Sequence, residues 1–293
     1  MNAEKNYLYS NYSVLSNVVE EREYEDVKNE LGLLSEYIEI LYTLDIFTEK
    51  QFKSIYVNIK GEEEKFDENF KKLLNLNVIR KITMEDSGRK EDVYFLANNG
   101  AKYIEETNDA EIEYEEKTAE YFNDNIDKLL AKLVTNELVI KYFNECSLFH
   151  SFEINPRIEI EYNEEKGYIE PSAVINFGED LNHVHFLVYT LRKFEGWKEE
   201  SVQNLSYLEA MYLTFEENEI ITKKPLLLCV CEDEKQMMEL YKELEETEIP
   251  LDFVMFITDE DIYSKEAYKS ITIIYKDEEE KVQTKNVEIN EMR

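Results

Sequence analysis

The sequence predicts an α+β protein made of an amino-terminal winged helix-turn-helix, a long connecting helix and a carboxy-terminal α/β domain. Three observations carry this. Apolar residues recur every three or four positions through most of the first half, then alternate with polar ones over residues 156–191. Helix, helix, helix, strand, turn, strand over residues 31–97 is the order of a winged helix. Two continuous apolar runs over 225–257 flank one helical segment, and such runs suit parallel strands covered on both faces.

Residues 7 to about 44 read as helix, with Leu31, Leu34, Ile38 and Leu41 on one face and glutamates on the other. Thr48-Glu-Lys-Gln51 reads as a capping box: the threonine hydroxyl accepts from the third following amide while the glutamine reaches back. Phe52, Ile55 and Tyr56 supply the buried stripe of the helix it starts. Glu62–Leu76 is the third helix, through Phe66, Phe70, Leu73 and Leu74. Val78–Ile82 and Asp92–Leu96 form a hairpin about the turn Glu85-Asp-Ser-Gly88, and Asn99-Gly-Ala-Lys-Tyr103 enters a final helix. A single long helix is expected over Glu113–Phe143, with Ile126, Leu129, Leu130, Leu133, Leu138 and Tyr142 on its apolar side.

After Cys146–His150 the period becomes two, giving strands over Pro156–Tyr162, Tyr168–Phe177 and Val184–Leu191. Helical spacing returns over Ser201–Glu217. Strand Pro225–Cys231, helix Glu234–Thr247, strand Leu251–Ile257 and a hairpin over Ser270–Glu288, turned at Lys276–Lys281, complete the chain. The implied divisions are 1–30, a tyrosine-rich helical arm; 31–106, the winged helix; 107–146, an acidic connecting helix; and 147–293, the α/β domain.

The chain has 293 residues, 33 basic and 66 acidic, for a net charge of −33. That field repels nucleic acid and anionic membranes. With 43% hydrophobic residues there is ample material for a core. The seven glycines complete no P-loop, dinucleotide or nucleophile-elbow motif, which argues against phosphate-cradling enzymes. The first ten residues lack a basic segment followed by an apolar run, and three cysteines make no disulfide framework, so a reducing, cytoplasmic setting is expected.

The third helix, which reads DNA in winged helices, begins Glu62, Glu63, Glu64 and continues with Asp67 and Glu68. Its later lysines Lys71 and Lys72, with Arg89 and Lys90 of the hairpin, are the candidate DNA contacts, but they are too few and too scattered to favour DNA binding. The five carboxylates are either a solvated helix start or a partner surface. Tyr7, Tyr9, Tyr12 and Tyr24 cluster as candidate contacts for a partner or a second copy. Residues 107–170 carry 16 acidic and 6 basic groups, and 232–293 carry 19 and 8, surfaces that either solvate the chain or imitate a phosphate backbone.

Gly167-Tyr-Ile-Glu-Pro-Ser-Ala173, Val184-His-Phe-Leu-Val-Tyr189, and Pro225–Cys231 with its helix resemble the replication-relaxation family of plasmid and phage proteins. In that family a winged helix precedes a degraded sheet domain of the PD-(D/E)xK nuclease type. The resemblance implies a nuclease-like fold without the chemistry. An active site of that type needs an aspartate after the proline, then a glutamate and, two residues on, a lysine on the next strand, to hold a divalent metal and assist water. Here those positions hold Ser172, Val188 and Thr190. The nearby Glu170, Glu179 and Asp180 could in principle substitute, but a chain with 66 carboxylates supplies such neighbours by chance. His183-Val-His185 and Cys229-Val-Cys231 allow a zinc site if their strands are adjacent and in register, or are ordinary strand residues. His150, with Ser147 and Ser151 as its only nearby nucleophiles, reads as structural.

The expectation is therefore a non-enzymatic regulatory or accessory protein of a mobile element, without metal or cofactor, acting by protein-protein binding. An acidic DNA mimic that inhibits a basic nucleic-acid-binding defence or restriction complex is the alternative, and a winged-helix DNA-binding replication or transcription factor a further one. No membrane partner is expected, and long helices permit a homodimer.

Overall fold

The computed structural model describes residues 13–16, 22–86, 89–108, 117–162, 165–178, 184–194, 196–199, 201, 208–209, 212, 224–247 and 249–289. The chain is α+β, with nine α-helices among the described residues and a large mixed sheet. It divides into two compact units, Tyr9–Asn136 and one built from Glu137–Arg293.

The first unit runs β1 (Ser13–Ser16), α1 (Tyr24–Leu31), α2 (Ser35–Leu44), β2 (Ile46–Thr48), α3 (Glu49–Lys60), α4 (Glu63–Asn75), β3 (Ile79–Asp86), β4 (Arg89–Leu96) and α5 (Asn98–Asn108). It then adds α6 (Ala119–Asp124) and the start of α7 (Ile126–Glu145). The expected capping box forms: Gln51 N donates to the Thr48 hydroxyl while Gln51 Oε1 accepts from Thr48 N, and Gly61 ends α3 in the left-handed conformation. Two expectations are corrected. Residues 13–16, read as helix, form a strand antiparallel to β3. The single helix over 113–143 is broken at Asn125, between α6 and α7.

Strands β1-β3-β4-β2 form one antiparallel sheet. Period two sends alternate residues of β4 to opposite faces. On one, Tyr94 meets Phe47 and Phe70, within an aromatic cluster centred on Phe52, whose ring lies 5.4–6.2 Å from Tyr37, Phe47, Tyr56, Phe66 and Phe70. On the other, Val93 and Phe95 pack with Ile82, Met84, Phe122, Leu129, Leu130 and Leu133, so α6 and α7 cover the hairpin. Such rings bury 150–250 Å² each, and removing one leaves a void its neighbours cannot fill.

The second unit is a seven-stranded mixed sheet in the order β13-β12-β11-β10-β9-β8-β5. Its strands are β5 (Phe149–Ile154), β8 (Ala173–Phe177), β9 (Val184–Thr190), β10 (Leu226–Cys231), β11 (Val254–Thr258), β12 (Ile271–Lys276) and β13 (Val282–Val287). β9, β10 and β11 are parallel and the other pairs antiparallel. Helix α8 (Glu234–Leu244) makes the expected crossover from β10 to β11, capped by Asp233, and α9 (Asp259–Ser264) follows β11. The terminal hairpin forms as expected. The run read as one strand over 168–177 is two, since β7 (Glu165–Ile169) pairs with β6 (Ile158–Tyr162) as a separate ribbon. Beside α8, Leu227, Cys229 and Cys231 pack with Val254, Phe256, Leu240 and Tyr241. Phe186 and Tyr142 each pack edge-on against Phe177.

Candidate functional site

The resemblance points to the start of β8 and the middle of β9. Antiparallel register sets Ala173 opposite Val188, which brings Ser172, Val188 and Thr190 together. Ser172 N donates to Val188 O at 2.8 Å, and Thr190 N donates to the Ser172 hydroxyl at 3.0 Å. The Ser172 carbonyl accepts from Asn155 N at 3.0 Å. Val188 and Thr190 are buried. The Ser172 hydroxyl is thus engaged with the adjacent strand's backbone. Glu170 is exposed and pairs with exposed Arg157; Glu179 and Asp180 lie outside the described residues.

Two residues beyond Thr190 stands a feature with no local sequence signature. The Arg192 guanidinium makes two hydrogen bonds to the Asp259 carboxylate, 2.6 and 3.0 Å, and both side chains are buried. This joins the end of β9 to the start of α9. Burial pushes the Asp259 carboxyl above its ordinary value although Arg192 opposes the shift. The pair is 67 residues apart in sequence, so neither periodicity nor spacing reveals it.

His185 and the two thiols do not assemble. Parallel register places Cys229 opposite Tyr189, four residues and about 13 Å along the strand from His185. His185 Nδ1 is 2.6 Å from Asn176 Oδ1. Burial pushes the Cys229 thiol up to about 12 and the Cys231 thiol higher than usual, which keeps both protonated. His183 lies outside the described residues, and among those described no group of three or more His, Cys, Asp or Glu is placed to hold a metal. Ser151 accepts from Asn176 Nδ2, while His150 stands exposed on β5.

In the first unit, α4 turns Phe66, Phe70 and Leu73 inward and its charges outward. Glu62 pairs with Lys65, Glu63 with Lys53 and Glu68 with Lys72. Lys65 and Lys72 hold the Glu62 and Glu68 carboxyls below their ordinary values. Glu64, Asp67 and Lys71 are exposed, and Lys90 pairs with Glu85 on the hairpin. The Arg89 side chain and Tyr7, Tyr9 and Tyr12 lie outside the described residues. Tyr24 is buried and donates to Glu106, so it is a packing residue and not an exposed contact. Among the described residues no helix is long and apolar enough to cross a membrane.

No protein-family model matches the chain, and no curated protein does. Among solved structures, the crystal structure of protein VC1899 from Vibrio cholerae is similar with a TM-score of 0.29 and 10% identity, over 79% of this chain and 53% of that one. The chain spans about half the length of that protein.

Proposed function

We propose that the chain is a non-enzymatic accessory protein of a mobile element, working by protein-protein binding, in which a winged-helix module is joined to a nuclease-like core without a metal site. The observation that carries this reading is the clasp of Ser172 with Val188 and Thr190. The three positions at which such a nuclease holds its aspartate, glutamate and lysine lie together, and none supplies a metal-binding carboxylate or a catalytic amine. Strand order adds support, because β5, β8 and β9 form a meander that is extended by parallel β10. Against DNA reading stand the ion pairs of α4, where Lys53, Lys65 and Lys72 neutralise the chain's own glutamates and not phosphates.

The test is a tagged capture from lysate of the native host, treated with nuclease and washed at rising salt. A protein of replication or transfer retained through nuclease and high salt is the expected result. Release of a basic DNA-handling enzyme at moderate salt would transfer support to the acidic mimic. Loss of every captured protein on nuclease treatment, or cleavage of plasmid with magnesium or manganese, would overturn the proposal.

A further inference from the structure

The two edges of the seven-stranded sheet are built differently. At β5 the ladder with β8 shifts register between Phe149 and Ser151, a bulge of the kind that blunts an edge. At β13 the ladder with β12 is unbroken through six pairs, from Ile271 opposite Val287 to Lys276 opposite Val282. Residues 282–286 are all exposed, and Val282 and Tyr275 are 40% and 44% accessible. β13 contains no proline and a single charge, Lys285. Among the described residues its outer side has no strand partner.

Charge identifies the occupant. Acidic side chains make up 66 of 293 residues, yet neither β12 nor β13 contains one. Two copies that each carry −33 repel wherever carboxylates meet, and over residues 282–286 this edge lets them approach with no carboxylate opposed to another. We propose that β13 pairs antiparallel with β13 of a second copy about a two-fold axis at Thr284, joining two seven-stranded sheets into one. An axis perpendicular to the sheet keeps each face continuous, so residues of equal parity must stand opposite. Centring on Thr284 sets Val282 opposite Asn286 and Gln283 opposite Lys285 of the second copy. Centring on Lys285 would oppose two lysines, which disfavours that register. A six-residue strand buries less than a standard interface, so the dimer is weak and dependent on concentration. This inference does not depend on the regulatory reading above.

Sedimentation of the full chain tests it. Between about 1 and about 100 µM protein the mass rises from 35.0 kDa towards twice that value, more steeply at about 0.5 M than at about 0.05 M salt because screening reduces the repulsion. Thr284→Glu, on an exposed position, sets two carboxylates face to face and abolishes the rise without changing the circular dichroism. Thr284→Cys copies crosslink with diamide above the wild-type background, and Val282→Cys copies do not, since their thiols lie about 13 Å apart in this register. A monomer at every concentration and salt would overturn the proposal, as would a dimer indifferent to Thr284→Glu. Slow hydrogen exchange on the outward amides of β13 in the dilute monomer would also overturn it, because the chain's own residues would then cover the edge.

Discussion

Asp45 is the residue on which the turn between α2 and β2 depends. It holds a backbone φ of 58°, which few residues other than glycine, asparagine and aspartate adopt cheaply. Its carboxylate receives both Lys117 and Lys132, which fix the segment before α6 and the first half of α7. Burial raises this carboxyl, but the two ammonium groups together outweigh burial, and the net shift is downward. A depressed carboxyl stabilises the fold fully above its unfolded value near 3.9 and loses that contribution as pH falls through its folded value. Asp45→Asn keeps the backbone tolerance and loses the charge. It should cost about 2 kcal/mol at neutral pH, with the gap from wild type closing in acid melts. Gly100 fails differently: a Cβ there would lie 2.7 Å from Val78 O and 2.6 Å from Leu96 Cδ1, so Gly100→Ala should cost about 1–3 kcal/mol in chemical denaturation. At Arg192 and Asp259, Arg192→Met should cost about 3–5 kcal/mol by stranding a buried carboxylate, and Arg192→Met with Asp259→Leu should recover much of it. Equal losses in single and double variants would mean that the packing, and not the charge, is what the site requires.

Among elements, the boundaries set by local chemistry were legible and those set by tertiary partners were not. The α3 start was readable because Thr48 and Gln51 satisfy each other within four residues, and the β10-α8-β11 unit because buried strands on both sides of a capped helix leave few alternatives. What the capping box did not reveal is that Gln51 Nε2 also donates to Leu133 O on α7, 82 residues away. Asn136 similarly donates to Leu44 O at the end of α2 and to Ile46 O at the start of β2. Thr48→Ala should therefore cost about 1 kcal/mol, the value of a cap, and Gln51→Ala more, because it also loses the buried hydrogen bond from Gln51 Nε2 to Leu133 O. Equal costs in equilibrium unfolding would show that the bond to Leu133 contributes nothing. β1 was misread because Ser13–Ser16 has too short an apolar pattern to distinguish strand from helix, and its conformation comes from the β3 edge it pairs with. Ser172, Val188 and Thr190 could be singled out in the sequence only as residue types, whereas the hydrogen bonds that join them depend on the β8-β9 register. Arg192 and Asp259 were not legible at all, since each reads alone as a surface charge.

At the scale of the whole molecule, two electrostatic effects oppose each other. The described residues contain many short ion pairs, most with at least one exposed partner, such as Lys72–Glu68, Lys269–Glu266 and Lys281–Glu279. Each is worth about 0–1 kcal/mol in water, and salt weakens it. Against them stands the excess of carboxylates, a net −33 whose self-repulsion favours the expanded chain and which salt also weakens. The pairs act over a few ångströms, where mobile ions screen little. The repulsion acts over spacings comparable to the Debye length, about 10 Å at 0.1 M, where screening is most effective. Repulsion should therefore be the larger loss, and added sodium chloride should raise the melting temperature by several degrees between about 0.02 and about 0.2 M before levelling off. Because two compact units melt in this chain, the transition should be followed separately by tyrosine fluorescence and circular dichroism and not reduced to one midpoint. A melting temperature that falls with salt would mean that the exposed pairs, and not the net charge, govern the stability of this acidic chain.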